Sequence, residues 1–346
     1  MNIYLNIFSL MIYLILGCIL VIGNKRRTSV TSDEYFQSLN SLRGLFAIEI
    51  VIGHCVRYES SLLTPLGNFM LISVGFFFYV SGFGLARSYH TKPDYMRSFI
   101  LHRFLHLIYV AVIALLITTA VALLSPIYTG YRDIPTTPAL FLSAVRFRTN
   151  WYVRELLILY LLFYLIYRFF AKKRLTLLSC SMIVLAIILY TTGYTRCFLA
   201  SMICFPLGIF SYENYDRIRA FLSTLRGKLI SLLILIAGFA LSYLNYEVLL
   251  NISFQSSEGI KAIFNNVLCL GFTGLLWIFL DNYKPGNSIL KFLTRISTEI
   301  YFMQFIFIAI AEEMKLAYPV KIIMVVGMDI LVSLLWNMTE KRLRHR

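Results

Sequence analysis

Apolar residues run through this chain in blocks of roughly bilayer length, broken by short polar segments rich in Lys and Arg. Blocks of that size, apolar all round, predict membrane-spanning helices rather than helices with one buried stripe. They fall near residues 3–23, 42–58, 67–86, 104–124, 153–170, 175–192, 197–212, 229–246, 262–280, 298–312 and 319–338. The fold class expected is all-α, a polytopic integral membrane helical bundle of about eleven transmembrane helices. The run at 197–212 is short and holds Pro206 and Gly208, so it is expected to be broken or tilted.

The second run carries Arg43, Glu49 and His54 inside its apolar stretch. Ionisable groups at membrane depth normally face a bundle interior or a wet cavity, because exposure to lipid is costly. The eleven-residue step from Arg43 to His54 is three turns plus about 20°, which puts both on one stripe about 16 Å apart along the axis. Arg57 extends that stripe, whereas Glu49 sits about 140° round from His54. Taken singly, His54 is also readable as a packing group and Arg43 as an anchor whose head reaches lipid phosphate. Together they favour a polar site inside the bundle.

Leu42, Arg43 and Gly44, followed by His54, resemble the opening motif of the acyltransferase-3 family of integral membrane O-acyltransferases, an Arg with a His eleven positions on. Phe77-Phe78-Tyr79-Val80-Ser81-Gly82-Phe83 is similar to that family's aromatic Ser-Gly-Phe motif, in which Ser81 is either a ligand contact or a small packing residue. Asn150-Trp151-Tyr152-Val153-Arg154-Glu155 looks like the family's Trp-containing start to a span, and Ser297, Ile300 and Tyr301 resemble its late motif. Two positions depart from the pattern. His106 stands where a second Arg is usual after Arg103, and Gln304 stands where His is usual, with a carboxamide that donates and accepts but does not shuttle protons.

The resemblance implies a ten-helix core at residues 41–340, preceded by an N-terminal helix and cytoplasmic linker at 1–40. It implies transfer of an acyl group, commonly acetyl, from cytoplasmic acyl-CoA to a hydroxyl of an extracytoplasmic glycan. The expected roles follow from it: His54 and Arg43 are catalytic, Arg97, Arg103, His106 and Ser81 bind the donor, and Trp151, Glu155, Glu299, Tyr301 and Gln304 line the acceptor site or cavity. Acyl-CoA is then a co-substrate, and no permanently bound cofactor or metal is expected. Glu299 is also readable as a partner for Arg43.

Composition agrees with the membrane reading, since 59% of the 346 residues are hydrophobic and 14% charged. Threading the loops alternately leaves about 23 of the 32 Lys and Arg residues on one side, which by the positive-inside rule puts the N-terminus outside and the C-terminus in the cytoplasm of a multi-pass cell-membrane protein. The net charge of +15 is spread over short loops that face anionic lipid headgroups, so nucleic acid is not an expected partner. The first run lacks a basic start and a small-residue cleavage site, and reads as an anchor rather than a signal peptide. Cys55 points about 100° away from His54 and is a poor acyl carrier. The loop at 125–150, with Tyr128, Tyr131, Arg132, Asp133, Arg146 and Arg148, suits either a sugar or the membrane interface. A transporter or flippase for a glycan or lipid-linked sugar is the alternative the same buried residues allow, although no inverted repeat is evident.

Overall fold

A computed structural model describes residues 3–56, 69–124, 151–192, 199–248 and 254–344. Arg57, the turn at 59–66, the loop at 125–150 and Cys197 lie outside the described residues. Each of the eleven apolar runs has a helix at its place. In chain order the helices are α1 Ile3–Val21, α2 Ser32–Ser41, α3 Arg43–Val56, α4 Phe69–Thr91, α5 Tyr95–Phe99, α6 Leu105–Leu124, α7 Trp151–Phe169, α8 Arg174–Thr191, α9 Cys204–Glu213, α10 Tyr215–Ser223, α11 Leu225–Val248, α12 Phe254–Asn282, α13 Ser288–Arg295, α14 Ser297–Glu313 and α15 Tyr318–Arg344. A π-helical turn, Ile100–Phe104, joins α5 to α6.

Five of the helices are long and apolar enough by themselves to cross a bilayer, or up to seven if two bent pairs count as one span each, α10 with α11 (92°) and α13 with α14 (70°). Three of the other runs are interrupted by charged residues or shortened by a break. α3 carries Arg43 and Glu49, α7 carries Arg154, Glu155 and Arg168, and α9 has only 10 residues, beginning at Cys204 with Pro206 in its first turn, where a missing N–H costs nothing.

The helices sort into an enclosed set and a lipid-facing set. α4 is nearly wholly enclosed, and α3 and α14 are buried along most of their length. α6, α8 and α15 turn most of their surface outward. α3 packs against both α4 and α14, so the helix with the ionisable stripe is at the centre of the bundle.

Close backbone approach holds this centre together. A side-chain carbon at Gly82 would collide with the Phe205 carbonyl, and one at Gly208 with the Tyr79 carbonyl, so α4 and α9 cross with their backbones in contact. Gly44 meets the backbone of Leu293 and Thr294 in the same way, and Thr294 Oγ1 donates to the Ser41 carbonyl at 2.7 Å. The Gly of the Ser-Gly-Phe motif is therefore a packing residue.

The segments that charge counting puts on one side meet at one end of the bundle. Lys25 and Arg26 pair as a two-residue ladder with Lys284 and Tyr283. Arg27 donates to Ser38 Oγ and to the Leu280 carbonyl, both at 2.8 Å, while Arg87 pairs with Asp33 at 2.6 Å and Arg219 with Asp281 at 2.7 Å. α2 opens there on a capping box, the Thr31 hydroxyl accepting from the Glu34 amide. The Thr31 hydrogen bonds hold the Glu34 carboxyl below the usual carboxylate range. α2 then seats Tyr35 against Trp277, rings stacked at 4.3 Å, with Trp277 Nε1 donating to Tyr79 OH at 2.7 Å.

Replacing Gly208 by Leu forces α4 and α9 apart and is expected to cost about 1–3 kcal/mol, as overpacking does. Gly327→Ala, where an added carbon meets nothing within 4 Å, is the control and should be neutral or slightly stabilising. Thermal unfolding of the two variants in detergent checks this, and equal midpoints would contradict the close crossing.

Candidate active site

At the basic end, a cavity of about 290 Å³ lies among α2, α3, α4, α6, α7 and α14. Arg43 enters it from the first residue of α3, with Nη2 donating to Thr298 Oγ1 of α14 at 3.3 Å. Arg103 and His106 enter from the other side. The π-helical turn widens the helix by one residue there, a distortion common at functional sites. Arg103 Nε donates to the Tyr95 hydroxyl at 3.1 Å, which aims the guanidinium. Ser81 of α4 and Tyr152 and Tyr160 of α7 complete the wall, and no Asp or Glu is among the lining residues. Two guanidiniums and an imidazole facing one space, with no carboxylate among them, make a site for an anion.

Aromatic rings form one part of this cavity's wall. Tyr301 lies 4.9 Å from Tyr152 and 6.3 Å from Phe77 between ring centroids, all three being lining residues. His54 is not among the lining residues; it lies three turns farther along α3 and packs edge-on against Phe305 at 4.9 Å. Its Nδ1 is 2.9 Å from the Ile50 carbonyl oxygen. A carbonyl only accepts, so the neutral ring carries its hydrogen on Nδ1 and its lone pair on Nε2. Thr298, which meets Arg43, and Phe305, which meets His54, are two turns apart on α14, so Arg43 and His54 share the face of α3 that runs along α14.

Residues 36–336 match the acyltransferase domain of the acyltransferase-3 type. The chain belongs to the acyltransferase-3 family. It is accordingly a membrane acyltransferase that transfers groups other than amino-acyl groups. No curated protein and no solved structure matches it.

Of the residues expected at the site of this acyltransferase, the structure gathers Arg43, Ser81, Arg103, His106 and Tyr301 around one cavity. The others lie elsewhere. Arg97 is exposed and pairs with Asp94 at 3.3 Å. Glu299 accepts from Asn337 Nδ2 of α15 at 2.8 Å, while Arg43 donates to Thr298; the two opposite charges remain within electrostatic reach of each other, with no hydrogen bond between them. Gln304 is fully buried with Nε2 donating to the Tyr301 carbonyl at 2.9 Å. Trp151 is half-buried at the start of α7, edge-on to Tyr152. Glu155 is 1% exposed, and neither of its oxygens has a hydrogen bond among the described residues.

Sequence reasoning passed over Tyr152, Tyr160, Asn40 and Thr298 as site residues, all of which line this cavity. Tyr152, Leu156 and Tyr160 recur every four residues, a stripe visible in the sequence, but phenols on one face read equally well as packing. Asn40 and Thr298 carry no such signal.

Asn337→Leu strands the Glu299 carboxyl, a loss of about 1–3 kcal/mol. The double variant with Glu299→Leu should recover part of it. Unfolding midpoints of the two single variants and the double variant measure the coupling, and strict additivity would mean that the pair does not interact.

Proposed function

We propose that this acyltransferase moves an acyl group, acetyl in the simplest case, from cytoplasmic acyl-CoA to a hydroxyl of a glycan on the far side of the cell membrane. One observation carries the proposal: Arg43 and Arg103 converge on an acid-free cavity at the basic end, while His54 lies about 16 Å farther along the same face of α3. By the positive-inside rule the basic end is cytoplasmic, where acyl-CoA is found. Acyl-CoA is a polyanion with a long flexible arm, and the acid-free mouth suits its phosphates. Arg103 and His106 hold those phosphates, Ser81 and Arg43 guide the arm, and the Tyr152–Tyr301 pair parts to admit it toward His54.

At His54, Nε2 takes the proton of the acceptor hydroxyl as its oxygen attacks the thioester carbonyl. The C–S bond breaks, the ester C–O bond forms, and the departing thiolate collects the proton. Trp151, Glu155 and Gln304 are assigned to the acceptor side of this path, while Tyr301 stands in the wall of the donor cavity itself. Gln304 orients but does not relay, because a carboxamide does not exchange protons at neutral pH. Arg97, engaged with Asp94 at the surface, contributes to the general positive field rather than to a direct phosphate contact.

In proteoliposomes, label should pass from acyl-CoA to glycan; unmodified glycan crossing the bilayer without acylation would instead mark a carrier. His54→Ala is expected to abolish the transfer while the protein stays folded, and retained turnover removes His54 from the mechanism. Arg103→Ala should weaken acyl-CoA binding by about 10- to 100-fold, the loss of a charge-assisted hydrogen bond, and flatten its salt dependence. Arg97→Ala should change it by less than about threefold. Equal effects of the two, measured by equilibrium binding at two salt concentrations, would contradict the assignment.

A further inference from the structure

Beneath α1, on a different side of α3 from His54, lies a second cavity of about 320 Å³. Its walls come from α1, α3, α4 and α12 and are almost entirely hydrocarbon, with Leu16, Phe46 and Phe272 typical of them. Three polar side chains interrupt this lining: the Ser73 hydroxyl, the Tyr13 phenol, which lies within electrostatic reach of Glu49, and the Glu49 carboxyl itself. Glu49 is 7% exposed; the Ser73 hydroxyl donates to its Oε2, and its Oε1 has no hydrogen-bond partner among the described residues. A buried acceptor left unmatched forfeits its hydration with nothing in return. The proposed transfer makes no use of it, since Glu49 does not line the cavity of Arg43.

We propose that this cleft binds a lipid alcohol, a single apolar chain whose terminal hydroxyl donates to Glu49 Oε1. The walls set the chain: Tyr13 to Leu20 on α1 and Phe272 to Phe279 on α12 each span two turns, a slot about 10 Å long that is apolar apart from the Tyr13 hydroxyl at the Glu49 end. The outward face of α1, with Leu10, Leu14 and Ile15 exposed, borders the lipid from which such a molecule arrives. Glu49 sets the head. A hydroxyl brings one donor to the one open acceptor, whereas an ammonium brings three donors and a guanidinium five, most of which would meet hydrocarbon. A phosphate head would set an anion beside the carboxyl. The site is independent of the acyl-CoA reading, because no step of the transfer passes through it.

The test uses the full chain in lipid nanodiscs and a long-chain alkyl alcohol bearing a photoreactive diazirine, in competition with unlabelled hexadecanol or with its methyl ether, which has the same chain and no donor. Crosslinks are expected in peptides of α1 and α12, with hexadecanol competing at least about tenfold better than the ether. Glu49→Leu should erase that preference. Gly17 lines the cleft and an added carbon there meets nothing within 4 Å, so Gly17→Leu should fill the slot and remove the crosslinks without straining the fold. Equal competition by alcohol and ether, or crosslinks that survive Gly17→Leu, would overturn the proposal; the first comparison uses the unaltered protein and holds even if Glu49→Leu fails to fold.

Discussion

A guanidinium held inside a helical bundle is the constraint on which the other features depend. Arg43 keeps its charge at any ordinary pH, so it cannot escape the cost of burial by deprotonating. Its surroundings must compensate with hydrogen-bond acceptors, water or an anion. The Thr298 hydroxyl supplies one contact, and Arg43 lines the same cavity as the phenols of Tyr152 and Tyr160. A second guanidinium, Arg103, faces that cavity, and their mutual repulsion makes an incoming anion the natural complement. The cavity is thus the consequence of the buried charge and, in the proposed transfer, the place where that charge is used.

Packing converts this requirement into a defined geometry. Glycines at 44, 82 and 208 let α3 meet α13 and α4 meet α9 at backbone contact, and these crossings leave no slack in the helices that carry Arg43 and Ser81. The polar ties at the basic end act in the same sense. Arg27 reaches both α2 and the end of α12, and the ladder between Lys25 and Lys284 fastens the first linker to the late one. Residues far apart in the chain therefore present a fixed mouth, while the aromatic layer of Phe77, Tyr152 and Tyr301 behind it is held by ring contacts that can rearrange.

The bundle is asymmetric along its axis. Cations and phenols gather at one end, and the imidazole of His54 stands farther along the same helix face, its tautomer set by the Ile50 carbonyl. Glu49 occupies a different face of α3, in hydrocarbon beneath α1. One short helix thus presents two separate polar environments. The apolar run that contains it has to be read by angle as well as by composition.

Much of this was written in the chain. The apolar blocks gave the helices because a backbone in lipid must satisfy its hydrogen bonds within the segment, whatever its neighbours are. The Arg43-to-His54 spacing gave a common face because helical periodicity is local, and the basic loops gave a threading whose one-sided segments do meet at one end. Tertiary structure decided what periodicity cannot reach. It gave Glu299 a hydrogen bond from Asn337 and Arg43 one to Thr298 while keeping the two charges in electrostatic reach; it re-aimed Arg103 and His106 through a π-helical turn while leaving Arg97 outside; and it brought Asn40 from the linker helix into the wall. Those choices depend on which helices lie side by side, and that is set by backbone contacts between residues hundreds of positions apart, such as Gly44 with Leu293, rather than by the pattern within any one segment.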